Sequence, residues 1–323
     1  MFNEVIIMVD IPRRLQVTGK NTFIVSLPHE WVERRKVKKG DAVYIIEDNE
    51  GSLLLSLKQA SKEFKSCVIS VSSDKHDIAM RNIVSAYVGG AGKIILRGKG
   101  TNTFAEEARR VLSGVEISEE NSDELVLRVL AFDDMQLDNI IKRQSTVTQS
   151  MFDLAAGAFR EKADVFTEVS RKEDEVDRLY LLLLRNLCIG RYSSSDAVFK
   201  AIAAKSIEKM SDHLEEICTQ GKTMAPNLVI ANLISKAGKA YSAAFKAFST
   251  NALDKGDFTE ARREYTSAIG KAEADLKKEK NITKVLALRS LFEKCDKLMR
   301  YSEDIMESSG DIVFARMESV PES

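Results

Sequence analysis

The sequence predicts a multidomain, mainly helical protein, with a β-rich N-terminal segment, a small α+β middle layer and a C-terminal bundle of six helices. Glycine occurs nine times in residues 1–120 but only seven times in residues 140–323, where proline is limited to Pro226 and Pro321. Scarcity of these turn formers leaves room for long helices. Apolar residues in the second half recur at helical spacing, as in Ile202, Ile207, Met210, Leu214 and Ile217. Residues 12–58 instead read as short strands between turn signals. A length of 323 residues suits two or three domains at roughly 150 residues each.

In the first segment (1–60), Arg13–Val17 and Thr22–Leu27 are strands around a Thr18-Gly19-Lys20-Asn21 turn. Pro28 opens a short helix carrying Trp31, Val32 and Arg35. Ala42–Ile46 and Ser52–Leu57 are strands joined by an Asp48-Asn49-Glu50-Gly51 hairpin loop. Four short strands bury too little surface to stand alone, so a second copy of the chain is the expected partner.

The middle segment (64–138) alternates strand and helix signals. Strands are expected at Cys67–Val71, Lys93–Leu96, Val115–Ser118 and Leu125–Leu130, and helices at Asp74–Val88 and Asn102–Leu112. Ile78, Ile83, Val84 and Tyr87 form the apolar side of the first helix. Such a layer is suited to connecting and dimerising, or to sensing a signal that the sequence does not name.

The third segment (141–318) holds helices at approximately 141–163, 165–189, 197–220, 226–249, 255–279 and 282–309. Gly190 with Ser193–Asp196, Gly221 with Pro226, residues 254–257, and Asn281 with Thr283 supply the breaks. Ser195 or Asp196 is positioned to cap the third helix, and Asp254 or Asp257 the fifth. Residues 150–220 recur weakly as 235–309, so the bundle is expected to be two tandem three-helix units.

Composition excludes several classes. A net charge of -1 rules out a wholesale basic nucleic-acid binder, so any such activity belongs to a local patch. The longest apolar runs, Val5–Val9 and Tyr180–Leu184, are too short to insert into a membrane. No signal peptide is evident, and a cytoplasmic protein is expected. Cys67, Cys188, Cys218 and Cys295 show no CxxC spacing and read as core residues. Gly89-Gly90-Ala91-Gly92-Lys93 lacks the Ser or Thr and the following helix of a phosphate loop. His29, His76 and His213 are scattered, and His213 reads as a surface histidine beside a carboxylate. No catalytic triad or acid/base pair is recognisable, so an enzyme is not expected.

One local patch is strongly basic. Residues 11–40 hold Arg13, Arg14, Lys20, Arg34, Arg35, Lys36, Lys38 and Lys39 against Glu30 and Glu33. Such an excess, doubled in a dimer, can neutralise several phosphates; a solvated face is the plainer reading. The run Arg13–Gly19, then Phe23–Pro28 with Trp31, then Lys38-Lys39-Gly40-Asp41 and Gly51–Leu55 resembles the AbrB/SpoVT-type swapped-hairpin β-barrel domain. The resemblance implies an intertwined homodimer that touches DNA through Arg13, Arg14 and Lys20, with Arg34 and Arg35 next.

A second constellation is acidic. Glu173 and Asp177 stand four apart on the second bundle helix, as do Glu208 and Asp212 on the third, so each pair shares a helix face. Two facing pairs would offer four oxygen donors, suited to Mg²⁺, Mn²⁺ or Fe³⁺; an ordinary charged face is the alternative. Val169–Leu179 and Ile207–His213 resemble the two E/D-x-x-x-D motifs of a PhoU repeat. That resemblance implies a six-helix, two-repeat bundle binding iron or zinc on acidic motifs and restraining phosphate uptake. In the second repeat Met299 and Glu303 replace the acids of the signature, while Glu273 and Lys277 are the expected facing pair. At most one well-formed metal site per chain follows, on the first repeat.

The two resemblances in this order, with Arg81–Gly90 and Gly114–Glu120 between them, resemble the archaeal-type PhoU-like phosphate uptake regulators. The resemblance implies a DNA-binding transcriptional regulator whose bundle binds metal or a partner. The alternative is a cytosolic modulator of phosphate-transporter ATPase components, with the N-terminal domain only dimerising.

Overall fold

A computed structural model describes residues 12–19, 21–47, 51–57, 65–121, 124–130, 136–161, 165–190, 192, 194–253 and 255–316. Lys20, the hairpin loop at 48–50, Asp254 and the apolar run Val5–Val9 lie outside the described residues. The chain divides into two compact units, Met1–Ser61 and Lys62–Ser323.

In the first unit, β1 (Gln16–Thr18) pairs antiparallel with β2 (Thr22–Ile24) around Gly19. Helix α1 (His29–Arg34) follows Pro28, and β3 (Tyr44–Glu47) pairs antiparallel with β4 (Leu53–Ser56). Among the described residues the two hairpins do not pair with each other. One chain therefore supplies two separate two-stranded sheets rather than a closed barrel. None of the described residues in this unit is buried, and Leu15, Phe23, Ile45 and Leu53 are all about two-thirds exposed.

The second unit opens with a four-stranded sheet in the order β5 (Lys65–Val71), β6 (Ala91–Gly98), β8 (Glu124–Val129), β7 (Val115–Glu120). The β5–β6 pair is parallel and the others antiparallel. Helices α2 (His76–Val88) and α3 (Thr101–Val111) bury Ile83, Tyr87, Phe104 and Ala108 against Ile94, Leu96, Leu125 and Leu127. Ile78 departs from the expected apolar side of α2: it is 60% exposed, since at about 100° per residue it stands about 140° round the helix from Ile83 and about 180° from Tyr87, while Ala79 and Met80 lie on the buried face. Gly89 and Gly90 form the turn into β6, as expected of turn glycines.

Among the described residues six helices complete the unit: α4 (Leu137–Glu161), α5 (Phe166–Ile189), α6 (Ser194–Gly221), α7 (Leu228–Thr250), α8 (Gly256–Leu276) and α9 (Ile282–Ala315). Short connections make successive helices antiparallel neighbours. The pairs α4–α7 and α6–α9 join the two three-helix repeats. Where α4 meets α7, Tyr241 stacks on Phe152, and its hydroxyl donates to Ser145 Oγ at 2.7 Å.

The helix starts differ from the expected caps. Ser195 and Asp196 lie inside the first turn of α6, and Asp257 inside that of α8, whose cap position is Lys255. Asp196 instead accepts two hydrogen bonds from Arg316 at the end of α9. Asn227 and Asn281 do the capping: their side-chain oxygens accept from Val229 and Ile230, and from Lys284, satisfying amides the helix leaves unpaired.

Candidate functional site

The acidic site forms between α5 and α6. Glu173 and Asp177 sit one turn apart on α5, and Asp212 reaches them from α6, with one oxygen of each within 4.8 Å of the others. Among the described residues this is the one group of three or more potential ligands so arranged. Glu208 departs from the expected quartet. Its carboxylate pairs with Lys205 at 2.7 Å and Lys209 at 3.5 Å, both on its own helix, and it is not one of the three whose oxygens lie within 4.8 Å of one another. Lys209 also bonds Asp212 at 2.7 Å, and Lys205 lies over the Tyr180 ring, 4.8 Å from its centroid.

Among the described residues no cation pairs with Glu173. Burial, then the charges of Asp177, Glu215, Asp212 and Asp174, push its carboxyl up to about 8. Burial, then Glu208 and Asp212, push Asp177 up to about 7 despite Lys205 and Lys209. Asp177 Oδ1 is buried and accepts no hydrogen bond from the described residues, a costly state for a carboxylate oxygen. Hard oxygen donors, crowded and short of positive charge, with one oxygen unsatisfied, fit a cation of the Mg²⁺, Mn²⁺ or Fe³⁺ type. Glu215, whose charge also bears on Glu173, is the neighbouring carboxylate that sequence reasoning missed. It lies three residues beyond Asp212 and seven beyond Glu208, spacings that place it on their face.

His213 is another departure. The expected carboxylate is there, Glu216 Oε2 lying 3.5 Å from its Nδ1, but the residue is only 8% exposed, with its ring 5.7 Å from Tyr301, and burial lowers its pKa. A residue beside Asp212 on α6 must turn toward α9 when Asp212 faces α5, which makes it an interior group rather than a surface one. Cys218 and Cys295 are buried as expected, whereas Cys188 is exposed.

Among the described residues the second repeat carries no such group. Arg262 on α8 pairs with Glu303 at 2.6 Å, so the α8 residue facing Glu303 is an arginine. Glu273 and Lys277 do not take the expected place opposite Met299 and Glu303; they lie about three turns further along, lining a groove with Arg289, Phe292 and Asp296. Antiparallel pairing accounts for the displacement: residues advancing along α8 meet residues receding along α9. Thr266, one turn beyond Arg262, is thereby level with Met299, which is buried.

In the N-terminal unit, Arg13 and Arg14 lie exposed in the extended lead into β1. Arg34 ends α1 and Arg35 is its C-cap, also exposed. None of these four arginines pairs with an acid among the described residues, which leaves their charge available.

Residues 141–220 match the family model described as PhoU domain, and residues 16–63 match the one described as Antidote-toxin recognition MazE, bacterial antitoxin. No curated protein matches the chain. Helices α4–α6 are thus similar to a PhoU domain, and the hairpin unit is similar to a MazE-type antitoxin domain. The combination is that of a PhoU-like protein with an N-terminal AbrB-like domain. No helix among the described residues is long and apolar enough to cross a membrane.

Proposed function

We propose that the chain is a DNA-binding transcriptional regulator of phosphate uptake and not an enzyme, with a cation bound on the first bundle repeat as its effector. The carrying observation is the Glu173–Asp177–Asp212 group: three carboxylates within 4.8 Å, in the segment that matches the PhoU domain. Glu173 and Asp177 would hold the ion from α5 and Asp212 from α6, and the ion would neutralise charge that Lys205 and Lys209 leave uncompensated. A homodimer of the hairpin unit would bring two sets of Arg13, Arg14, Lys20, Arg34 and Arg35 to one polyanion. An effector of this kind changes DNA affinity only if it binds the two forms of the protein unequally.

Metal content after dialysis against Mn²⁺, Zn²⁺ or Fe³⁺ tests the effector: about one equivalent per chain is expected, lost in Glu173→Gln. Two equivalents would contradict a second repeat closed by Arg262. Anisotropy titration of upstream DNA against salt tests the other half, since phosphate contacts give a steep slope of log affinity on log salt. The double variant Arg13→Ala, Arg14→Ala is expected to flatten that slope. Retained DNA binding with an unchanged slope overturns the assignment of these arginines. The PhoU match at 141–220 favours one second reading, in which the bundle modulates phosphate-transporter ATPase components and the hairpin unit only dimerises. Recovery of phosphate-transporter ATPase components by both wild type and the arginine variant, without DNA binding, would establish it.

A further inference from the structure

α5 carries two of the three clustered carboxylates, and it is also the bundle helix packed against both α2 and α3. The two roles meet at consecutive residues. Asp177 belongs to the acidic group, while Arg178 donates to the carbonyl of Arg110 at the end of α3, at 3.2 Å. One turn on, Leu181 packs against the hydrophobic core of the middle layer. A further turn brings Arg185, only 4% exposed, whose Nη1 donates to Tyr87 O at 2.5 Å and Ala91 O at 2.9 Å. Its guanidinium lies 4.9 Å from the centre of the Tyr87 ring. Among the described residues no carboxylate bonds this guanidinium, so the two carbonyls and the ring are what hold a buried positive charge. At Ile189 the helix meets Gly90, whose φ of 88° and closeness to the isoleucine side chain leave no space for a Cβ.

We propose that Arg185 is a positioning residue that makes α5 the link between the acidic site and the middle layer, so that the layer registers cation binding. The inference rests on the cation reading of that site. Without an ion, the oxygens of Glu173 and Asp177 crowd that of Asp212 within 4.8 Å across the α5–α6 interface, where like charges repel. An ion bridging the two helices replaces that repulsion with attraction and draws α5 toward α6. An adjacent flank of α5, about a quarter-turn round the helix at about 100° per residue, is fixed at three points, Arg178, Leu181 and Arg185, to the ends of α2 and α3. A shift of α5 is therefore carried into residues 85–91 and 108–112. Linkage makes the effect reciprocal: loosening the Arg185 anchor changes cation affinity by the factor with which the cation tightens the layer.

The test is amide hydrogen exchange on the full chain with and without Mn²⁺, alongside calorimetric titration with Mn²⁺. In the wild type, Mn²⁺ is expected to slow exchange at 85–91 and 108–112 by about 5-fold or more. Arg185→Met is expected to bind Mn²⁺ more weakly by a similar factor and to lose the response in those segments. Arg185→Lys should restore part of it. Leu127→Ala, a core change in the same layer away from α5, should keep the response and so separates positioning from general loosening. Mn²⁺ binding with no change at 85–91, or a response that survives in Arg185→Met, overturns the inference alone. Equal titrations of wild type and Glu173→Gln overturn the cation reading and the inference with it.

Discussion

Between residues 12 and 57 no described side chain is buried, whereas α7 alone buries eleven residues from Ile230 to Phe248. The difference is not one of supply. Leu15, Val17, Phe23, Ile24, Ile45, Leu53 and Leu54 give the hairpins an apolar content fit for a core, yet each stays open to solvent. A helix hides its apolar stripe against neighbours from the same chain, and six helices suffice for that. Two hairpins of three- and four-residue strands have only each other, and their described strands do not pair. The bundle completes its core within one chain; the hairpin unit has the character of a half that a second copy would complete.

Breaking that second copy tests the contrast most severely. Phe23→Asp puts a charge where the partner's apolar surface would cover it. The mass by light scattering is expected to fall from twice 36.0 kDa to 36.0 kDa, and DNA binding should be lost with it. Helical circular dichroism should change little, because the bundle does not depend on the hairpins. A wild-type chain that already runs as a monomer with intact hairpins would end the contrast.

The converse change sits in the bundle. Phe152 is 1% exposed and stacked on Tyr241, and Phe152→Ala should cost about 3–5 kcal/mol through reduced burial and a residual cavity. Urea unfolding followed by helical signal measures this. The mass should remain that of the dimer below the transition, since the hairpins belong to a separate compact unit. Loss of dimer in this variant would mean that the bundle, rather than the hairpins, holds the chains together.

A smaller effect divides the bundle itself by pH. Glu173 and Asp177 titrate in the folded chain near 8 and near 7, against 4.5 and 3.8 for free groups. Both shifts are upward, so the folded state keeps protons that the unfolded chain has released. Stability of the metal-free protein is therefore highest below about pH 4 with respect to these groups. It falls as pH rises toward about 8. The charges around them are Glu208, Asp212, Glu215 and Asp174, opposed by Lys205 and Lys209. Asp177→Asn removes one side of the repulsion and should raise the melting temperature of the metal-free chain at pH 8 by a few degrees, with a flatter dependence on pH. The same substitution should abolish metal binding. Functional sites commonly show this trade of stability against activity.

The helices and strands are legible in the sequence because periodicity and punctuation are local properties. Gly190, Gly221 and Asn281 mark breaks wherever the helices pack. Facing registers are less legible, since they depend on how two helices slide past one another. A motif suffices to bring Glu173 to Asp212, but the same reasoning sets Glu273 opposite Met299, a level that Arg262 and Thr266 occupy. Glu208 escapes for a related reason. Spacing puts it on the right face, while Lys205 and Lys209, three residues before and one after, compete for its oxygens. Arg185 leaves no trace in the sequence as an anchor, because its partners are backbone carbonyls some 94 and 98 residues away. A carbonyl carries no residue-type signal.

The finest test lies in one residue of the hairpin unit. Lys36 has a φ of 54°, the left-handed conformation that closes α1, and Val37 N donates back to Val32 O at 3.0 Å. Glycine is the usual residue there, because a Cβ crowds the following carbonyl at a cost of about 1 kcal/mol. Lys36→Gly should therefore stabilise the unit by roughly 0.5–1 kcal/mol. A lysine in a conformation that suits glycine better makes any use of its charge testable by this change. If that use is a DNA phosphate, the variant should bind DNA less tightly, its salt slope shallower by about one for each phosphate that Lys36 neutralises. A more stable variant with an unchanged slope would assign Lys36 to the turn alone and leave the arginines to carry the charge.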